Sequence, residues 1–172
     1  MLERIDLRNF GSRIDWLWEK VREQSYAFDD EAKGDSNAFL LTLFHPASAH
    51  WVNESGMVSL VNIQPKVNGD IHFMCWDALY SKREMFADAQ QVFSEAFKEF
   101  SLKRITATIP HFNSTAAKMA LKLGMKYEGA MRSCFLHEGQ YYDLLIYGIL
   151  EEEFNQQSVE EVSHGRSYQT IN

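Results

Sequence analysis

From Arg83 to Phe100 the apolar residues fall at Phe86, Ala89, Val92, Phe93, Ala96, Phe97 and Phe100. Steps of three and four place them on one face of a helix, with the phenylalanine stripe turned into a core. A shorter stripe, Ile14, Leu17, Trp18 and Val21, predicts an amphipathic helix over 12–26 with Ser12 as its cap. Between these two the period drops toward two. Ala49–Asn53, Met57–Ile63 and Ile71–Trp76 read as strands, with a turn at Glu54-Ser55-Gly56. In the last strand Ile71, Phe73 and Cys75 share one face, and His72, Met74 and Trp76 the other. Asn68-Gly69 predicts the hairpin turn before it, because both residues tolerate a positive φ. Phe39–Phe44 is apolar but short, compatible with helix or strand, and Pro46 ends it.

After the long helix the pattern turns extended again. Lys103–Ile109 is a β-branched strand that stops at Pro110. Asn113 caps a helix over 114–123, and Gly124 closes it. Strands over about 126–136 and 141–150 follow, joined by His137-Glu138-Gly139-Gln140. Residues 28–37 form an acidic loop. Beyond 150 the chain is polar and aperiodic, so 1–154 is expected as one domain and 155–172 as a polar tail. The element order, helix, hairpin, helix, strand, helix, hairpin, is that of a mixed α/β protein.

Composition narrows the function. The 172 residues are 45% hydrophobic and 24% charged, enough for one domain that folds without disulfides or metal. Cys75 and Cys134 lie in apolar sequence, and two reduced, buried thiols are expected. No Cys/His spacing suits zinc. The net charge of −7 disfavours nucleic acid as a partner. Four of those negative charges belong to 151–172, which holds five glutamates and one arginine. No apolar run approaches the roughly 20 residues of a membrane span, and the first residues lack the apolar core of a signal peptide, so no membrane partner and a cytoplasmic location are expected.

Lys103–Tyr147 carries a more specific signal. It reads RI-x-A-x-I-P at 104–110, Asn113, Ala116, KLGMKYEG at 122–129, Arg132, Gly139 and Tyr141-Tyr142-Asp143 leading into LLIYGIL. This stretch resembles the GNAT superfamily of acyl-CoA N-acyltransferases, and within it the branch that acetylates ribosomal-protein N-termini. The resemblance implies a mixed central sheet with two splayed neighbouring strands, flanking helices and a C-terminal β-hairpin. It implies acetyl-CoA as cofactor, with its pantetheine arm against Phe73, Met74, Cys75 and Trp76 and in reach of Asn113. In the family a glycine-rich loop then cradles the pyrophosphate. Here Asp77–Met85 contains no glycine, and Ser81, Lys82 and Arg83 stand in its place.

Direct acyl transfer to an amine needs a base for the amine proton and an acid for the leaving thiolate. Asp77, His111 and Glu128 are the base candidates. His111 follows a strand's C-terminal end, where open α/β sites lie. Glu128 is equally suited to an ion pair, for example with Arg132, and Asp143 to fixing a turn. Many family members place a tyrosine acid where this chain has Ala120. Trp76 and Tyr80 are suited to lining a pocket. Two functions follow: acetyl transfer to a primary amine such as a protein N-terminus, or a non-catalytic GNAT-like domain serving as a binding or assembly subunit, as in a phage virion. Either could involve self-association or a larger assembly through the tail.

Overall fold

The computed structural model describes residues 2–24 and 34–157. Strand β1 (Glu3–Arg4) leads into helix α1 (Leu7–Phe10), a 3-10 turn (Gly11–Arg13) and helix α2 (Ile14–Arg22). Helix α3 (Ser36–Leu43) precedes a three-strand meander, β2 (Ala49–Val52), β3 (Gly56–Gln64) and β4 (Asn68–Cys75). Helix α4 (Lys82–Phe100), β5 (Arg104–Pro110), α5 (Ser114–Lys122), β6 (Lys126–His137) and β7 (Gln140–Leu150) complete the order. The strands form one sheet, β1-β2-β3-β4-β5-β7-β6. Every neighbouring pair is antiparallel except β4 and β5, which the α4 crossover makes parallel.

The two faces of the sheet carry separate cores. Under α4 and α5 lie Trp51, Leu60, Ile71, Val92, Phe93, Ile105 and Ile149, all but excluded from water. On the other face Ile5, Leu17, Val21, Phe39, Leu43, Val52 and Met57 pack with α1–α3. Burying a side chain such as Phe93 or Leu17 stabilises the fold by roughly 1.5–3 kcal/mol. A buried histidine joins the layers near α3. Its Nε2 lies 3.3 Å from the carbonyl of Thr42, which can only accept, and so carries the proton. Its Nδ1 then accepts from the Ser59 hydroxyl at 2.9 Å. This residue is His50, and burial pushes its pKa down to about 4.

Several expectations are corrected. The N-terminal helix begins earlier and is broken: Asp6 caps α1 by accepting from the Arg8 backbone, whereas Ser12 sits inside the 3-10 turn. Phe39–Phe44 resolves as the end of a helix, because the Asp35 side chain accepts from the backbone of Asn37 and Ala38 and caps it. The turn between β3 and β4 is at 65–67, with Lys66 at φ +67° and Val67 N–H donating to the Gln64 carbonyl. Asn68 and Gly69 already belong to β4. Gly69 is needed for space: a Cβ there would lie 2.8 Å from Leu60 Cδ1 and 3.3 Å from Leu102 Cδ1. Cys134 is exposed on the outer strand β6 and Cys75 is half-buried, so the expected pair of buried thiols is not found.

The largest difference lies past β7. Residues 151–157 are helical, not aperiodic. One apolar side chain explains this: Phe154 sits against Phe93 at 5.9 Å and Phe97 at 5.5 Å between ring centroids. The remaining tail, 158–172, and the expectation that it mediates assembly lie outside the described residues, as do 25–33 of the predicted first helix and acidic loop.

Candidate active site

The parallel seam opens after three residue pairs. Asn68 faces Arg104, Gly69 faces Ile105 and Asp70 faces Thr106, and there the pairing stops. Beyond that vertex each strand remains anchored on its far side, β4 to β3 as far as Cys75 and β5 to β7 as far as Pro110. The result is a V whose arms are rigid. Among the described residues, no strand pairs with the side of 71–75 that points toward β5, which suits a ligand carrying its own amides. Phe73 packs toward the α4 core and Met74 toward the α2 core.

At the mouth of the V the chain enters α4 through a loop built on side chains. Asp77 accepts from the Leu79 backbone at 2.8 Å and from the Ser55 hydroxyl at 2.9 Å. Tyr80 turns its phenol onto Asp88 of α4, and Asn53 donates to the same Asp88 oxygen at 3.0 Å. Burial and the Asp88 bond push the Tyr80 phenol well above its ordinary range, so it stays protonated and donates. Ser81 caps α4 in a reciprocal box: its hydroxyl accepts from the Glu84 backbone, while the Glu84 carboxylate accepts from the Ser81 backbone and hydroxyl. Those bonds hold the Glu84 carboxyl below its usual value. Lys82 and Arg83 are exposed in the first turn and form no ion pair among the described residues.

No family model matches the chain. The uncharacterized N-acetyltransferase YnaD of Bacillus subtilis (strain 168) is 37% identical over 67 residues, 39% of this chain and 39% of its own. The SPbeta prophage-derived uncharacterized N-acetyltransferase YokL of the same organism is 32% identical over 69 residues, 40% of this chain and 36% of its own. The match thus spans well under half the length of these curated relatives. Over the whole fold, the spermidine N-acetyltransferase from Vibrio cholerae in complex with CoA and spermine superposes with a TM-score of 0.73 at 15% identity, covering 90% of this chain and 97% of that one. A probable acetyltransferase gives 0.65 at 18% identity, covering 84% and 89%. This chain has the GNAT fold.

Within the GNAT fold the predicted residues separate by what already holds them. Phe73, Met74 and Cys75 form the free arm of β4, and burial pushes the Cys75 thiol up. Trp76 leaves the V for the other face, edge-on to Trp16 at 6.0 Å, with its indole N–H donating to the Glu54 carbonyl at 2.7 Å. Asn113 stands past the end of β5 and accepts from Ala116 N–H at 3.1 Å, so it does cap α5. Glu128 accepts from Arg104 at 2.7 Å, not from Arg132. Asp143 accepts from Ser133 N–H at 2.9 Å and fixes a bulge of β6 where Ser133 has φ +50°. His111 is exposed, and its backbone N–H donates to the Asp143 carbonyl. Ala120 is buried in the α5 core, so no hydroxyl stands at that place.

Asp88, Asn53 and the polar residues at the vertex were not legible as site residues. Asp88 occupies a position on the buried face of α4, and only the fold brings Tyr80 and Asn53 to it. A polar residue interrupting an apolar stripe (Asp88 before Ala89) is the one sequence signal that marks it. Among the described residues no group of three or more His, Cys, Asp or Glu side chains could hold a metal, and no helix is long and apolar enough to cross a membrane.

Proposed function

We propose that the protein transfers an acetyl group from acetyl-CoA to a primary amine. The observation that carries this reading is the open seam beyond Asp70 and Thr106, lying beside the N-terminus of α4. The free edge of β4 pairs with the amides of the pantetheine arm along Phe73, Met74 and Cys75, with Asn113 across the mouth, while Trp76, turned to the other face, closes the end of that arm. Ser81, Lys82 and Arg83 receive the pyrophosphate at the start of α4, two cations without an ion pair among the described residues replacing the glycines of the family loop.

The amine lone pair attacks the thioester carbonyl, and the tetrahedral intermediate collapses with expulsion of the CoA thiolate. The ammonium proton passes to a base and the thiolate takes up a proton. Asp77 is committed to Ser55 and Leu79, and Glu128 to Arg104. His111 is the candidate whose side chain is unengaged among the described residues, and it stands at the open end of β5, so we assign it the base. The acceptor is a small polyamine or a protein N-terminus; the spermine bound by the Vibrio cholerae neighbour favours the former.

Thermal unfolding with acetyl-CoA, followed by thiol release with spermidine or an N-terminal peptide, tests this reading. A ligand at a hundred times its dissociation constant stabilises the fold by about 2.7 kcal/mol, a readily measured shift. Saturable binding with amine-dependent thiol release is expected. A melting curve indifferent to millimolar acetyl-CoA would leave the second reading, a non-catalytic binding or assembly module, which the absence of glycine from 77–85 favours.

A further inference from the structure

A chain of polar side chains crosses the sheet on the face away from α4, at the vertex of the V. Asn62, at φ +50° in a bulge of β3, donates to Asp70 at 3.0 Å. Asn68 donates to the second oxygen of Asp70 at 3.0 Å and accepts from the Thr106 hydroxyl at 2.7 Å. Arg104 donates its Nε–H to Thr106 at 3.2 Å and its terminal N–H to Glu128 at 2.7 Å. That last bond passes over β7 at Gly148, where a Cβ would lie 2.5 Å from both the guanidinium and the carboxylate. The polar residues of the three-pair seam, Asn68, Asp70, Arg104 and Thr106, are all members. One step further along, His72 and Thr108 would face each other if pairing continued, and neither makes a side-chain hydrogen bond among the described residues.

We propose that this ladder fixes the depth of the V, and that Asn68 and Thr106 are positioning residues for the acyl donor. The inference rests on the acyl-transfer reading. A ligand wedged between two strands pushes the split toward their closed ends. Backbone pairing alone offers three parallel residue pairs against it, and the ladder adds side-chain bonds at that same line. Each residue of slippage moves the vertex by about 3.3 Å. A thioester displaced by about 1 Å from its attack geometry loses on the order of a hundredfold in rate. Asn68 and Thr106 touch no reacting atom in this scheme; they hold the strands that do.

The experiment uses Thr106→Val, which keeps the shape and loses the hydroxyl, and Thr106→Ser, which keeps it. Hydrogen exchange of the ligand-free proteins reports on the vertex without any ligand. Amides in 68–71 and 104–107 of Thr106→Val are expected to exchange at least tenfold faster than in the parent chain, and those of Thr106→Ser as in the parent. In steady-state acetyl transfer, kcat of Thr106→Val should fall roughly tenfold or more with KM for the amine within about twofold, and Thr106→Ser should restore it. Parent-like exchange in Thr106→Val overturns the ladder as the stop. Faster exchange with parent-like kcat overturns the positioning role. A parent chain that neither binds acetyl-CoA nor releases thiol overturns the acyl-transfer reading and the positioning role with it, while the exchange arm still decides what holds the vertex. If Thr106→Val fails to fold, Asn68→Ala, at a half-buried site, carries the same readouts.

Discussion

The carboxylate of Glu84 lies 3.1 Å from the backbone nitrogen of Ser81 and 2.6 Å from its hydroxyl oxygen. The N-terminus of α4 is thus already occupied by an anion of the protein's own. A phosphate arriving there competes with that carboxylate, although Lys82 and Arg83 attract it. Glu84→Ala is therefore expected to bind acetyl-CoA roughly two- to fivefold tighter, the range that one charge at a helix terminus supports. The same variant should melt slightly lower, having lost half of its capping box. Calorimetric titration and a melting curve check the two halves. Weaker binding by the variant would place the phosphates elsewhere.

His111 is expected to act as the base. His111→Ala should lower kcat/KM by about 10²–10⁴ at neutral pH, the usual contribution of a positioned base. Asp77→Ala should instead act through binding, because Asp77 holds the loop at Leu79 and Ser55. Parent-like activity of His111→Ala would remove it as the base.

How much of this could be read from the chain differs from element to element. Helix α4 was legible because its apolar stripe is long and continuous, and the β6–β7 hairpin because Glu138 and Gly139 supply the two positive φ angles its turn requires. Asn68-Gly69 carries the same kind of signal and misleads, since Gly69 is there to let Leu60 and Leu102 approach. The helix at 151–157 was illegible because one phenylalanine and ion pairs to distant residues, Lys103 with Glu151 and Lys126 with Glu153, anchor it. In the site, the Asn113 cap followed from local pattern, and the free arm of β4 from the resemblance carried by 103–147. The partners of Asp88, Glu128 and Thr106 did not, because each lies on another strand or loop and pairs through tertiary structure alone.

Phe154→Ala is expected to destabilise the protein by about 3–5 kcal/mol, the cost of emptying an aromatic site in a core. The residue is 9% exposed, and its ring packs at a tilt against Phe93 and Phe97. Denaturant unfolding measures it. A loss below about 1 kcal/mol would mean that 151–157 lies on the surface without supporting it.

Acid should weaken the fold through His50. Its folded pKa is depressed to about 4, against about 6.5 unfolded, so the unfolded chain takes up the proton first as pH falls. Stability contributed by the neutral ring is complete above about pH 6.5 and is lost as pH drops to about 4, by roughly 3 kcal/mol. His50→Gln keeps a polar side chain without the titration. Its denaturation midpoint should fall less between pH 7 and 4.5 than that of the parent. Equal slopes would assign the acid sensitivity to other groups.

Only three residue pairs join β4 to β5, while β3–β4 and β5–β7 are joined along most of their length. Mechanically the sheet is two stiff plates meeting on a short hinge line, with α4 as a strut between them. Residues 2–24 and 34–75 make up one plate with its helices, and residues 104–150 the other. Stretched between its termini in an optical trap, the chain should yield first by parting these plates, leaving each antiparallel set of strands to unravel later and at higher force.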